Sequence, residues 1–390
     1  MQAMLAPLKE LAEYEQIRER MQKGTGPVAL TGCVQSQKLH MIYGLSDGQR
    51  VKVIVTYSDL KAKELYEEYK FYDKNVVLYP AKDLIFFQAD IHGNQLVRER
   101  IRTLRRLMEH KPTTIVTTYA ALMAPQAMID AEEDVIKISR GGNLDEKKLA
   151  RRLVDMGYEK SYQVETPGQF SIRGGIIDVF DLTEENPYRV ELWGDEVDSI
   201  RSFDVLSQRS VEKLESIRIF PATEFVLTEE RIQNGLAKLE KEAEKQEKIL
   251  REKFATEEAH RVKTLAKEFA DKLELRGAVN LESYVNFFYE DTVTLPEMIE
   301  RYVGGEDGAQ GRTSATPETA SAVTPKAASN VAPKTALGAA PKASSAMSVA
   351  YFLDEPLRIK EQAEAVELEF RESMSQRVEK GYVLPSQMKL

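Results

Sequence analysis

The sequence predicts a mixed α/β protein: a parallel sheet covered by helices, followed by a small α+β domain. Three observations carry this. From Pro27 to about Pro125, short runs rich in Val, Ile and Thr alternate with longer helical patterns, which is the pattern of βαβ units. Near Val135 the style changes to short alternating runs broken by turn signals, which suits an antiparallel sheet. And "VALTGCVQSQKLHM", residues 28 to 41, has the outline of a phosphate-binding strand, turn and helix.

Taken in order, residues 1–26 read as one amphipathic helix, "MQAMLAPLKELAEYEQIRERM". "PVALTG", "VKVIVTY", "NVVLYP" and "TTIVTTY" read as strands, with helices "SDLKAKELYEEYKFY" and "NQLVRERIRTLRRLMEH" between them. "DVIKIS" is a further strand, and "LDEKKLARRLVDMGY" a helix with Leu144, Leu149, Leu153 and Met156 on one side. In the small domain, Gly174-Gly175 and Asn186-Pro187 mark turns. Thr228 can cap a Glu/Lys-rich helix whose Ile232, Leu236, Leu239 and Ala243 form one stripe. "LESYVNFFYEDTVTLPEMIERY" is apolar enough to dock on a core. Residues 304–348 are almost all Ala, Pro, Ser, Thr, Gly and Lys. Such a segment cannot bury enough apolar area to offset its ordering entropy, so a flexible surface insertion is expected. A strand and a helix resume at "VAYFLDEPLRIKEQ", and the chain stops at "VLPSQMKL" without a closing element, as expected of a fragment.

Composition narrows the function classes. The 390 residues carry a net charge of −9, which argues against the whole surface being a nucleic-acid footprint and makes protein partners the default. Cys33 is the only cysteine, so no internal disulfide forms and a Cys-rich zinc site is excluded. A reducing, cytoplasmic setting fits. No apolar run is long enough for a membrane span, and no signal-peptide core is present.

Three places have the form of chemistry. A working phosphate loop is G-x-x-x-x-G-K-[ST]. Gly32 and Lys38 match it, but Gln37 replaces the second glycine and Leu39 the Ser/Thr. Gln37 has a Cβ where the backbone must fold round phosphates, and Leu39 offers Mg²⁺ no oxygen. "FLDEPLRI" places Asp354 and Glu355 after an apolar strand, the form of a Walker B acid pair or of an ordinary strand-to-helix turn. Together they suggest a nucleotide-binding fold that has lost its chemistry. The third place is the small domain. Arg173 precedes a Gly-Gly turn, and Arg189, Glu191 and Trp193 alternate on one strand face. Arg and Trp on an exposed face compose an interface hot spot; Trp193 as simple core is an equal alternative. "RERIRTLRR", from Arg98 to Arg106, reads as a solvated helix face.

The stretch "PGQFSIRGGIIDVFDL … YRVELWGDEVDSIRSFDVLSQRS … IFPATEF" closely resembles the N-terminal region of bacterial transcription-repair coupling factors. That region is itself similar to the excision-repair protein UvrB. The resemblance implies a RecA-like domain of the phosphate-loop type, split by an inserted domain. Its parts would be residues 27–130, 223–303 and 349–390, with the insert at 131–222; the 304–348 stretch falls outside the family pattern. UvrB has an intact phosphate loop and a Tyr-rich hairpin, for which "LYPAKDLIFFQADIHGNQLVRER" is too short. The resemblance implies that the inserted domain binds UvrA, the damage sensor of nucleotide-excision repair, through Arg173, Arg189 and Trp193, where some members have Phe. Glu191, Asp195 and Arg201 lie in the same stretch. It also implies no catalytic residue, metal or cofactor here. ATP and Mg²⁺ would serve motor domains downstream. RNA polymerase, DNA and a C-terminal masking domain would be partners of the full-length protein. The alternative is an ATP-dependent helicase or translocase lobe of the UvrB type.

Overall fold

The computed structural model describes residues 2–24, 26–82, 93–130, 132–274, 281–304 and 349–389. Both the 304–348 insertion, apart from Gly304 at a helix end, and residues 83–92 of the stretch compared with the UvrB hairpin lie outside the described residues.

The predicted parallel sheet is present, with four strands in the order Val349–Leu353, Val51–Thr56, Thr113–Thr118, Val76–Tyr79. All three pairings are parallel. The strand that follows the 304–348 segment therefore returns to lie beside the first strand of the sheet. Both faces are covered, which is why these strands read as continuous apolar runs rather than as alternating ones. Val53, Val55, Tyr79 and Ile115 pack against Ile101, Leu104, Met298 and Ile299 on one side. Ile54, Leu78 and Val116 pack against Leu39, Leu65 and Tyr69 on the other.

Two expectations fail here. "PVALTG" forms no strand; residues 27–31 have no regular structure, and Leu30 is exposed. Its β-branched content is real, but no neighbouring strand among the described residues supplies ladder partners. The N-terminal helix is two helices, Gln2–Lys9 and Tyr14–Lys23, packed through Leu8 and Tyr14 against Met41 and Leu45. Gly44 lies under this contact: a Cβ there would sit 2.3 Å from Leu8 Cδ1.

The small domain holds a six-stranded sheet in the order Ser210–Leu214, Glu196–Phe203, Tyr188–Trp193, Ile176–Val179, Gln169–Arg173, Glu159–Lys160. It is antiparallel except for its last pair. Its inner face, with Phe170, Ile177, Val179, Val190 and Ile200, packs on Leu149 and Leu153 of the helix Glu146–Asp155 and on Met156 at its C-cap. Asp145 caps that helix by accepting from the Lys147 and Lys148 amides. "DVIKIS" supplies the strand Ile136–Ser139, which pairs with Ser216–Ile219 in a separate ribbon.

Thr228 caps the helix Glu229–Glu252 through the Arg231 amide, and the predicted stripe is buried. This helix packs on Thr256–Glu274 and on Phe287 and Phe288 around a core of their own.

The arginine-rich helix Gly93–Met108 is not a solvated face. Arg100 is buried and donates to Glu224, to the Pro80 carbonyl and to Gln126. Arg105 reaches Asp181 and Glu184 of the small domain, and Arg106 binds Asn75 and the Pro112 carbonyl. These side chains cross-link elements because Glu224 and Asp181, both buried, require cationic partners.

Candidate functional site: a sheet face and a phosphate-loop-like turn

The phosphate-loop-like turn and the acids that face it come from distant parts of the chain. Gly32 turns at φ +78°, and the helix Gln35–Leu45 starts three residues later, with Val34 at its N-cap and no side-chain cap. Gln37 is exposed and helical, so the chain does not wrap a phosphate here as a second glycine would allow. Leu39 is buried among Ile54, Leu65 and Tyr69. The position that would hold a metal-binding hydroxyl is a core position.

Lys38 and the two acids do meet. Lys38 Nζ donates to Asp354 Oδ1 at 2.8 Å and to Glu355 Oε1 at 2.9 Å. Buried Asp354 also accepts from Thr56 Oγ1 at 3.1 Å. Burial alone would lower the Lys38 pKa; the bonds to Asp354 and Glu355 outweigh it and raise it above the ordinary lysine value. Glu355 adopts a left-handed conformation, φ +57°, just before Pro356. Such a residue stores strain, which concentrates at functional or formerly functional sites.

The second site is the outer face of the six-stranded sheet. Residues alternate across each strand, so Arg173, Asp178, Arg189, Glu191, Trp193 and Arg201 share that face. Trp193 is 85% exposed, which settles its status: it is not core. Arg173-Gly174-Gly175-Ile176 is a two-residue hairpin with both glycines at positive φ, +55° and +81°, a type I′ requirement that explains the Gly-Gly pair. Trp193-Gly194-Asp195-Glu196 is a second two-residue hairpin, placing Asp195 at an exposed tip. The Gly175 carbonyl accepts from the Leu192 amide, so both tips lie at the same end of the sheet.

The charges on this face are paired. Arg189 forks onto Asp178, Nε to Oδ1 at 2.6 Å and Nη2 to Oδ2 at 2.8 Å. Arg173 Nη2 reaches the same carboxylate at 3.1 Å. Arg201 forks onto Glu191 at 2.8 and 2.6 Å, and Ser199 donates to Glu191 at 2.7 Å. The bonds from Arg201 and Ser199 hold the Glu191 carboxyl below the usual range, and the bond to Asp178 raises Arg189. Glu191 and Arg201 therefore satisfy each other, while Arg173 and Trp193 point more of their surface to solvent.

Sequence reasoning missed four members of this face. Asp178 was legible as an acid inside the apolar run "GIIDVF". Tyr162, 84% exposed, carries no such signal, and its ring lies 5.6 Å from the Arg173 guanidinium. Gln208 accepts from Arg189 Nη2 at 3.0 Å, and Ile176 is an exposed apolar residue.

Comparison with known proteins points the same way. A family profile described as the UvrB interaction domain matches residues 136–225. The chain is 32% identical over 302 residues to the transcription-repair-coupling factor of Bacillus subtilis (strain 168), covering 74% of this chain and 25% of that protein. It is 33% identical over 219 residues to the factor of Staphylococcus aureus (strain Mu50), 54% of this chain and 18% of that protein. It is 28% identical over 292 residues to the UvrABC system protein B of Thermotoga neapolitana, 70% of this chain and 44% of that protein. The chain thus spans about a quarter of the first of these and less than half of the last. The chain belongs to the family of the transcription-repair-coupling factors, is similar to the UvrB proteins, and matches the UvrB interaction domain over residues 136–225.

Proposed function

We propose that this chain is a recruitment module of a transcription-repair coupling factor. It captures UvrA on the outer face of the six-stranded sheet and takes no catalytic part itself. The observation that carries this reading is the exposed Trp193 beside the Arg173–Asp178–Arg189 cluster, inside the matched interaction domain. Large exposed aromatics next to oriented arginines are the composition of protein-binding hot spots. Arg173, Arg189 and Trp193 are the primary contacts, with Glu191, Asp195 and Arg201 around them. In a full-length protein, RNA polymerase displacement, DNA translocation and masking of this face would belong to other domains, and the setting is the bacterial cytoplasm.

A direct test is UvrA capture by the immobilised 390-residue chain. Arg173→Ala or Arg189→Ala should reduce retention at least about tenfold while the circular-dichroism spectrum is kept. Retention equal to wild type would remove these residues from the interface.

One observation favours a second reading. Lys38, Asp354 and Glu355 still converge as phosphate and Mg²⁺ ligands would. Mg-ATP affinity that vanishes in Lys38→Ala would support a residual nucleotide site and a motor ancestry that is still active.

A further inference from the structure

Asp178 stands at the centre of the outer face and is itself 1% exposed. A buried carboxylate needs donors to stay charged. It has three guanidinium bonds: 2.6 and 2.8 Å from Arg189 and 3.1 Å from Arg173. The register provides them. Asp178 lies directly opposite Arg189 on one neighbouring strand and opposite Ser171 on the other, with Arg173 on the diagonal.

The two arginines are used differently. Arg189 is 14% exposed; it spends its fork on Asp178, donates to Gln208, and lies 4.2 Å over the Phe203 ring. Gln208 is held at φ +57° in a turn closed by its own amide to the Asp204 carbonyl. Arg173 is 38% exposed and gives one N–H to Asp178. A guanidinium has five N–H donors, so most of those on Arg173 remain for a partner.

We infer that Asp178 is a positioning residue of the UvrA-binding face. Bonded to Arg189, Asp178 aims Arg173 outward, and Asp178 itself never reaches the partner. This rests on the UvrA reading given above. The surface that fits is rich in carboxylate or carbonyl acceptors opposite Arg173, with an apolar cup for Trp193 and Ile176.

A role through charge alone predicts the opposite effect. Asp178→Asn adds one net positive charge to the face. If charge alone drives capture of an acidic surface, the variant binds more tightly. If Asp178 positions Arg173, it binds less tightly.

The test is titration of UvrA against the full chain carrying no change, Asp178→Asn, Arg173→Ala, or both. Each single change should weaken binding about tenfold, and the double variant should be within about threefold of Arg173→Ala, because Asp178 acts through Arg173. Wild-type or tighter binding by Asp178→Asn, or full additivity in the double variant, would overturn the inference. If Asp178→Asn does not fold, Arg189→Lys replaces it, keeping charge but losing the fork. It should weaken binding about tenfold, and wild-type affinity would overturn the inference. Wild-type affinity of Arg173→Ala has a different meaning: the UvrA face itself is then misassigned, and the positioning role falls with it.

Discussion

Lys38 and Asp354, 316 residues apart in sequence, meet at 2.8 Å across the end of the parallel sheet. The cation that phosphate loops aim at a nucleotide is here held by the acids that would hold its metal. The same contact ties the returning strand Val349–Leu353 to the helix Gln35–Leu45. The contact is a staple of the fold.

Lys38→Ala should therefore act on stability. Removing it leaves buried Asp354 with Thr56 alone as a side-chain donor among the described residues. A loss of about 2 kcal/mol is expected, since Lys38 is partly solvated. Urea unfolding would measure it; an unchanged midpoint would show the pair to be idle.

The same pair gives a pH dependence. The Lys38 pKa is raised in the folded state. Its contribution is thus fully present below the unfolded lysine value and is lost as pH rises through the higher folded value. The stability gap between wild type and Lys38→Met should hold through neutral pH and close above about pH 10. A gap that closes on acidification through neutral pH would place the linkage in another group.

Glu224 joins the small domain's exit to the parallel-sheet domain. It is buried, accepts from Arg100 and forms an ion pair with Lys82, which also pairs with Glu282. Burial would raise its pKa, but Arg100 and Lys82 prevail and lower it. Glu224→Gln takes the buried carboxylate from Arg100 and leaves Lys82 to Glu282, and should cost about 3–5 kcal/mol. The wild-type contribution of Glu224 is present above the unfolded glutamate pKa and fades as pH falls through its lower folded value. Thermal melts of the two proteins should therefore differ at pH 7 and converge only as the pH falls through that folded value, and parallel curves would refute the linkage.

Gly235 lies inside the helix Glu229–Glu252, where alanine normally stabilises by about 1 kcal/mol. Here an added Cβ would meet Phe288 Cδ1 at 2.2 Å. Gly235→Ala should instead destabilise by about 1–3 kcal/mol, by overpacking. A raised melting temperature would show that the Phe288 ring moves aside at no cost.

Much of this fold was legible. Period-two alternation placed Arg189, Glu191 and Trp193 on one face, and the stripe Ile232, Leu236, Leu239 and Ala243 is buried as its spacing requires. Gly174-Gly175 announced its turn. The failures share a cause. "PVALTG" has strand propensity, but a strand exists only with a ladder partner, which local sequence does not encode. The arginines from Arg98 to Arg106 looked solvated because Glu224 and Asp181, the acids that bury them, are remote in sequence. Exposure of Trp193 was undecidable from composition, since an indole suits core and interface equally.

On the function proposed above, the outer sheet face is a protein-binding surface for UvrA. Trp193 tests it most directly, because at 85% exposure its removal leaves the core intact. In a calorimetric titration of UvrA, Trp193→Ala should bind at least about tenfold more weakly than wild type, with an unchanged melting temperature. Equal affinity for the two proteins would contradict the account.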